Sequence, residues 1–280
     1  MLRLLKFLLL FSLFFVSCRS KNKVEQPMIK DFDLLQRANN DYTTIDLEHA
    51  EELAYRELID SIRYISLGDE CGVMGNIANI ITYKGRFYIQ EEQFDRVFIY
   101  DDTGRCLKKI DNKGRGPGEY LRIESIDINT EKEELMLVDG MSDKLFFYDL
   151  DGNFKSIHSI RYFQTENTLC LRDSVFLHIS APSQNFGNDG LYGYALVLSK
   201  GNENFLKGYR YLPLQVGYKG GGQIFKGYER SCYHPIYSDT IYQILSDTTY
   251  GPIFYFKIKN SIIDRNEEDK TKEMSSGFNA

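Results

Sequence analysis

The sequence predicts an all-β protein, a β-propeller of four-stranded antiparallel blades. A ten-residue segment recurs at an offset of 48 residues, reading DRVFIYDDTG at 95–104 and DKLFFYDLDG at 143–152. Around both copies, short apolar stretches alternate with turn signals. A four-stranded unit that repeats about every 40–50 residues is typical of propellers, in which each unit forms one blade. The composition agrees, because 20 Tyr and 19 Phe occur without any Trp, and both residue types favour strands.

The first two units share one order of strands and turns. Lys84-Gly85 marks the first turn of the first unit, and Gly104 marks its last. In the second unit the corresponding turns fall at 131–133 and at Gly152. Glycine at such positions tolerates positive φ, which is a hairpin signal. The predicted strands are 76–81, 86–90, 97–100 and 106–110 in the first unit, and 124–128, 135–138, 145–148 and 154–157 in the second.

Two further units are predicted downstream. Asp239 lies 96 residues, or twice 48, after Asp143 and begins the stretch DTIYQILSDT. Between these copies, residues 174–180 and 194–202 form a degenerate unit. A β-sandwich with accidental similarity is the alternative, but a sandwich does not require Asp at the equivalent positions 95, 143 and 239. These three Asp residues are interpreted as turn residues that bond nearby main chain.

The region before the repeats is predicted to hold a short helix and then a strand. Asp46 is a suitable N-cap for the helix. The apolar residues that follow fall near one helical face: Leu47, Ala50, Ala54 and Leu58. Residues 62–67, IRYISL, alternate weakly and predict a strand. In propellers an N-terminal strand often completes the last blade and closes the ring.

The first eighteen residues, MLRLLKFLLLFSLFFVSC, read as an export signal. Their ten-residue apolar core is too short for a membrane-spanning helix, which needs roughly 20 residues. The end of the core resembles the bacterial lipobox, with Ser17 as the small residue and Cys18 as the lipid acceptor. An ordinary secretory signal with a chance Cys is the alternative. The predicted organisation is a signal peptide at 1–17, a tether at 18–30, a propeller at 31–263 and a polar tail at 264–280.

Composition and motifs exclude several functions. The net charge of −6 argues against a nucleic-acid partner, and removal of Arg3 and Lys6 with the signal makes it more negative. The sequence holds no G-x-S-x-G, H-E-x-x-H or phosphate-loop motif, and its four His lack metal-ligand spacing. We therefore expect no cofactor and no metal, and an enzyme is less expected than a binding module. One disulfide is compatible with the compartment, although buried free thiols are the default expectation for these cysteines: Cys71, Cys106, Cys170 and Cys232.

The segment between the first two units, NKGRGPGEY at 112–120, is rich in glycine. It resembles the G-x-G-P-G-E-[YF] segment of Bacteroidota-type six-bladed β-propeller lipoproteins with NHL-like repeats. The resemblance implies six blades, a lipid anchor and a cell-envelope location at the outer membrane, and it implies no established activity. Only four units are visible here. The chain is therefore either a shortened member or the front part of a fragmented gene.

The same segment is the candidate ligand-binding site. Its predicted contact residues are Arg115, Gly116, Gly118, Glu119 and Tyr120. Glycines give a ligand access to main-chain amides, and Arg115 and Glu119 supply opposite charges. The alternative is a tight crossing between blades with no ligand. The expected function is a lipid-anchored binding module for a glycan, peptide or protein. An envelope enzyme acting on glycans and a non-functional propeller fragment are the other possibilities.

Overall fold

The structure is a computed structural model. It describes residues 33–34, 36–38, 41–49, 59–160, 164–172, 174–180, 194–200, 204–211, 222–226, 230–235, 238–245 and 249–258. The predicted signal peptide, tether and polar tail lie outside the described residues. The predicted N-terminal helix falls mostly on residues 50–58, which also lie outside them.

The described residues form nineteen strands and no helix. In chain order they are β1 (Asp33–Leu34), β2 (Gln36–Arg37), β3 (Thr43–Asp46), β4 (Ile77–Tyr83), β5 (Arg86–Glu91), β6 (Arg96–Asp101), β7 (Cys106–Ile110), β8 (Ser125–Asn129), β9 (Glu134–Asp139), β10 (Lys144–Asp149), β11 (Phe154–Ser159), β12 (Asn167–Arg172), β13 (Val175–Ile179), β14 (Tyr194–Lys200), β15 (Asn204–Tyr211), β16 (Gln223–Lys226), β17 (Ser231–His234), β18 (Thr240–Ile244) and β19 (Thr249–Lys257). A search of this part of the chain for an apolar helix able to cross a bilayer finds none.

Consecutive strands pair antiparallel into four blades. Blade I comprises β4–β7, blade II β8–β11, blade III β12–β15 and blade IV β16–β19. The first strands of successive blades contact one another, so β4, β8, β12 and β16 lie innermost, along the propeller axis. The predicted fold is confirmed, and the degenerate third unit forms a complete blade.

The hairpins form where the repeat placed its turn residues. Lys84 and Gly85 have φ values of 47° and 70°, the pair of positive values that a two-residue hairpin loop requires. Gly104 and Gly152 have φ values of 89° and 79°. In the second of these turns, Asp149 Oδ1 accepts hydrogen bonds from the main-chain nitrogens of the turn. The DG sequence is therefore a hairpin turn, as predicted.

Apolar side chains fill each interface between successive blades. Between blades I and II the core includes Tyr88, Ile99, Ile126, Leu137, Phe146 and Tyr148. Between blades II and III it includes Met136, Val138, Leu145, Phe147 and Phe176. The third interface, between blades III and IV, includes Leu177, Leu196, Leu198, Tyr233 and Tyr242. Blades II and III thus bury both faces, which explains why their strands read as continuous apolar runs.

Three short strands add to the outer edges of blades III and IV, and they come from residues upstream of the strand predicted at 62–67. β1 pairs in parallel with β15, and both β2 and β3 pair in parallel with β19. Residues 62–67, predicted to be the closing strand, form no strand. At the end of this segment, Gly68 N donates to Gly104 O at 2.8 Å. The main chain there bonds to a turn of blade I and not to the edge of a strand. The prediction of a closing strand at residues 62–67 was therefore wrong, and the earlier strands add to the edges of blades that already have four strands.

A disulfide joins Cys71 to Cys106, with Cα atoms 6.0 Å apart. This corrects the expectation of free thiols at these two positions. Cys170 and Cys232 are buried and are not disulfide-bonded, in line with that expectation. Burial raises the pKa of Cys170 to about 12, so its thiol stays protonated and unreactive near neutral pH.

Candidate functional site

The candidate loop lies at one end of the propeller, here called the upper face. Within a blade the strands alternate in direction. The loop that connects one blade to the next therefore lies at the same end of the propeller as the turn between the second and third strands of each blade. The upper face therefore carries the crossing loop, defined as residues 112–120, together with the turns at Asp95, Asp143 and Asp239. These three residues were predicted to occupy equivalent positions, and they do.

Tyr120 anchors the crossing loop from below. Its side chain is fully buried and lies edge-on to Phe146, with ring centroids 5.9 Å apart. The Tyr120 hydroxyl donates to Asp95 O at 2.8 Å and accepts from Asn112 N at 3.1 Å. Burial raises the pKa of Tyr120, so the hydroxyl keeps its proton. In this structure Tyr120 supports the loop and is not exposed to a ligand.

Glu119 folds back over the loop. Its Oε2 accepts a hydrogen bond from Gly116 N at 2.7 Å, and a Cβ at Gly114 would lie only 2.0 Å from the same oxygen. Gly118 has a φ of 81°, a conformation that favours glycine. The glycines thus serve the turn itself, and the Gly116 amide is already occupied.

Arg115 is exposed at the tip of the crossing loop, next to Gly116 and Pro117. Among the residues that the structure describes, no hydrogen bond or ion pair involves its guanidinium. Neighbouring basic groups are paired. Lys113 Nζ contacts Asp95 Oδ2, and Arg122 Nε lies 3.3 Å from Glu124 Oε1. The structure therefore brings the five predicted residues together, and of their two charged groups Arg115 is the one that is exposed without a partner in the described part of the chain.

Two carboxylates lie at the upper end of the propeller axis. Glu124 directly precedes β8, and Glu166 directly precedes β12. Burial raises the pKa of Glu124, Arg122 opposes this shift, and the negative charges of Asp95, Asp139 and Glu166 add smaller increases. The Gln90 amide donates to Ile123 O at 3.0 Å, which fixes the main chain beside Glu124. Sequence reasoning missed these residues, because their only signal is a Glu that immediately precedes an innermost strand.

Further along the axis a buried ion pair connects three blades. Asp127 Oδ2 accepts from Cys170 N at 2.7 Å and from Lys226 Nζ at 3.1 Å. Lys226 Nζ also donates to Ile128 O at 3.0 Å. The side chain of Asp127 is 6% exposed and that of Lys226 is 27% exposed. Burial raises the pKa of Asp127, and Lys226 opposes this effect. We call this pair the axial ion pair.

Asp143 occupies a polar turn without a basic partner among the described residues. Its neighbour Asp139 accepts from Leu121 N at 2.7 Å and from Ser142 Oγ at 2.6 Å. Burial, followed by the negative charge of Asp139, raises the pKa of Asp143 to about 6. The equivalent residue in blade I, Asp95, instead has Lys113 and the Ile123 amide as partners.

Asp143→Asn is expected to stabilise the protein by about 1 kcal/mol at pH 7.5 and to change little at pH 4. The folded pKa of about 6 exceeds the usual value of about 3.9. The native state therefore holds the proton more tightly, and stability falls as the pH rises through this window. Asn tolerates the φ of 53° at this position. Denaturant unfolding at both pH values measures the effect, and an equal change at both would show that ionisation is not its cause.

A second group of polar side chains lies at the start of the propeller. Asp46, Glu48 and His49 offer ligand atoms within 4.8 Å of one another. Lys257 Nζ lies 3.1 Å from Asp46 Oδ2 and 3.5 Å from Glu48 Oε2. The hydrogen bond with His49, followed by that with Lys257, lowers the pKa of Asp46 to about 2. We interpret the group as an ion-pair cluster that fastens β3 to β19.

Two of the solved structures that superpose on this chain come from Bacteroides. A protein of Bacteroides fragilis NCTC 9343 that is assigned as exported superposes with a TM-score of 0.66 at 20% identity, over 77% of this chain and 60% of that one. A DUF4221 family member from Bacteroides vulgatus ATCC 8482 gives a TM-score of 0.42 at 11% identity, over 64% of this chain and 57% of that one. The chain thus spans about 60% of the length of the B. fragilis protein.

Sequence comparison identifies the family without assigning an activity. No curated protein matches the chain. Residues 42–279 match the model of a domain of unknown function, DUF4934. This match includes all four blades and the crossing loop, and the chain therefore belongs to the DUF4934 family.

Proposed function

We propose that this protein is a lipid-anchored cell-envelope β-propeller that binds a ligand at its upper face. The observation that carries the proposal is Arg115, an exposed guanidinium at the tip of a loop whose base is buried. Binding residues commonly lie on loops held by a rigid scaffold. An arginine presents a planar set of donors that fits a carboxylate or a similar anion. The ligand we propose is a glycan, peptide or protein that offers an acidic group.

The crossing loop is suited to this task because little of it needs to become ordered on binding. Tyr120 holds one end of the loop through a buried ring and two short hydrogen bonds. Glu119 holds the tip through the Gly116 amide. A preformed loop lowers the entropic cost of association. In this proposal Arg115 contacts the ligand, and the other four predicted residues shape and support the loop.

The proposed location draws on three observations. Cys18 ends a signal that resembles a lipobox, and an acyl chain there would anchor the protein to the outer membrane. The Cys71–Cys106 disulfide suits an oxidising compartment. The similar B. fragilis structure is assigned as an exported protein. We also retain the six-bladed, NHL-like arrangement as part of the proposal. The four consecutive blades described here would form part of it.

Arg115→Ala is expected to weaken binding of an acidic ligand by about 10- to 100-fold, the range for one hydrogen-bonded charge. The assay screens the full-length lipidated protein in detergent against acidic glycans and peptides and their neutral counterparts. The same preparation is expected to fractionate with membranes and to incorporate a fatty-acid label.

Arg230→Ala is the matched control, because it removes the same charge from a described, exposed position at the opposite end of the propeller. Equal affinities for wild type and Arg115→Ala would place the ligand elsewhere. Equal loss in both variants would indicate a general effect of net charge and would also argue against the loop.

An envelope enzyme acting on glycans is the second candidate. It is favoured by Glu124 and Glu166 at the axis, because a carboxyl group with a raised pKa can serve as a general acid. New reducing ends or unsaturated products, appearing when acidic glycans are incubated with the protein, would favour this candidate over simple binding.

A further inference from the structure

One segment before blade I crosses the blade face that is turned away from blade II. We call residues 63–76 the strap. At the lower end of the blade, Arg63 Nη2 donates to Asp102 O at 2.7 Å, and Gly68 N donates to Gly104 O at 2.8 Å. At the upper end, Glu92 N donates to Asn76 O at 3.0 Å. The strap therefore spans the blade from its lower to its upper end before continuing into β4.

The strap covers a second apolar core. Ile89, Phe98 and Tyr100 are almost fully buried on this face, and Cys71 and Met74 of the strap pack against them. The Tyr100 hydroxyl donates to Gly68 O at 3.3 Å. These side chains would be exposed on blade I without the strap.

The repeat shows what the strap replaces. Phe98 and Tyr100 correspond, at the offset of 48, to Phe146 and Tyr148. In blade II those two residues are buried against blade I. The strap therefore lies on the face of blade I that corresponds to the face of blade II packed against blade I.

The strap covers this face of blade I incompletely and makes few contacts with it. Val73 is 84% exposed and Ile80 is 51% exposed. In blade II, Ile126 pairs with Leu137 as Ile80 pairs with Ile89, and Ile126 is only 2% exposed. Between Gly68 and Asn76, the described residues show no bond between main-chain groups of the strap and of the blade. Two hydrogen bonds that involve side chains lie here, from Cys106 N to Glu70 Oε2 at 3.3 Å and from Arg96 Nη2 to Val73 O at 3.4 Å. The disulfide between Cys71 and Cys106 lies in this interval. It is the covalent link that keeps the middle of the strap on the blade.

We propose that this disulfide is a redox latch that controls whether the face of blade I is covered. Attack by a thiolate on the Cys71–Cys106 bond forms a mixed disulfide and releases one cysteine thiolate, which takes up a proton. A second thiol of the reductant then resolves the mixed disulfide. The products are two cysteine thiols and one disulfide of the reductant. The bond is within reach, because Cys71 is only half-buried.

Reduction leaves the middle of the strap, among the described residues, with two long side-chain hydrogen bonds and the packing of Met74 as its contacts with the blade. The middle of the strap then opens, and the apolar surface formed by Ile89, Phe98 and Tyr100 becomes accessible. The three interfaces between blades do not depend on this bond, because neither cysteine takes part in their cores. Opening is therefore local, as expected of a segment with few contacts.

Amide hydrogen exchange of the full-length protein, with and without dithiothreitol, tests the latch. We expect exchange at the Gly72 and Cys106 amides, which donate to Asp69 O and to Glu70 Oε2, to accelerate at least about 10-fold on reduction, which is about 1.4 kcal/mol of local stability. Peptides from β9 and β10 of blade II serve as the internal reference and are expected to stay unchanged. Mass measurement after alkylation confirms that one disulfide is present before reduction and absent after it.

Two variants complete the experiment. Cys71→Ser with Cys106→Ser is expected to exchange rapidly in the strap under both conditions. Cys232→Ser removes a cysteine outside the latch and is expected to keep the wild-type response to dithiothreitol. Unchanged exchange in the strap on reduction would overturn the proposal, since noncovalent contacts would then hold the segment. Acceleration in all blades together would also overturn it, because the bond would then stabilise the whole fold.

Discussion

Lys226→Met is expected to destabilise the folded protein by about 3–5 kcal/mol, the range for removing one partner of a buried ion pair. The change leaves the carboxylate of Asp127, whose side chain is 6% exposed, with main-chain donors from Cys170 and Ile128 but without its cation. It also removes the bond from Lys226 to Ile128 O, so blade IV loses its link to blade II. Denaturant unfolding of the wild-type protein and the variant measures the difference.

The destabilisation is expected to grow with pH. Burial already raises the pKa of Asp127 while Lys226 opposes that shift, so loss of Lys226 raises this pKa further. A raised carboxyl pKa stabilises the native state at low pH, and this contribution is lost as the pH rises through the folded pKa. Unfolding at pH 5 and pH 8 tests the sign, and a larger loss at pH 5 would contradict it.

Two controls isolate the buried charge. Lys84→Met breaks an ion pair with Glu133 in which both side chains are about half exposed, and it should change stability far less than Lys226→Met does. Adding Asp127→Asn to Lys226→Met removes the charge and keeps a side-chain oxygen for the Cys170 amide. The double variant is expected to recover most of the lost stability. Failure to recover would mean that packing, and not the unpaired charge, sets the cost.

Tyr120→Ala is expected to cost about 3–5 kcal/mol, the range for truncating a large buried aromatic residue. The ring fills the interface between blades I and II, and its hydroxyl joins the crossing loop to the turn at Asp95. Tyr120→Phe keeps the ring and loses only the hydroxyl, so it should cost about 1–2 kcal/mol. Thermal or denaturant unfolding of both variants separates packing from hydrogen bonding.

Tyr64→Ala is the matched control, because that side chain is 91% exposed and its loss should stay within about 0.5 kcal/mol. If Tyr120→Phe were as damaging as Tyr120→Ala, the hydroxyl and not the ring would hold the loop. If Tyr120→Ala were as mild as Tyr64→Ala, the loop would not depend on Tyr120 at all.

The blades were predictable because their turns impose strict demands on particular residues. The third strands predicted at 97–100 and 145–148 are observed as Arg96–Asp101 and Lys144–Asp149. Each ends before a glycine with positive φ, Gly104 or Gly152. A residue with that conformation is costly to replace, so the spacing survives in the sequence. The degenerate third unit was placed through the same spacing.

Other features depend on contacts that a periodic pattern does not encode. The weak alternation in residues 62–67 predicted a strand, yet Ile62 is 65% exposed and Tyr64 is 91% exposed, so the pattern marks neither a covered face nor a strand. The pairing of Cys71 with Cys106 has no copy in the next unit, where Phe154 stands 48 residues after Cys106. The axial ion pair joins residues 99 positions apart in different blades. Its only trace in the sequence is a charged residue within an apolar stretch.

The candidate site was predicted in part. Glycines at 114, 116 and 118 indicated an unusual loop, and the loop lies at the upper face of the propeller. The directions of the side chains were not available from the sequence. Only the structure shows that Tyr120 points into the core and that Glu119 turns back on Gly116. Arg115 is left as the exposed charge.

The pairing of β3 with β19 has a consequence for the order in which the protein is built. Asp46 and Lys257 are 211 positions apart in the chain, yet their side chains are joined by a hydrogen bond. A ribosome completes β3 long before β19 exists. Contacts this distant in sequence form late, because a long loop must close first. The blades can therefore assemble one after another during synthesis, while the earliest strands wait for the last blade to emerge.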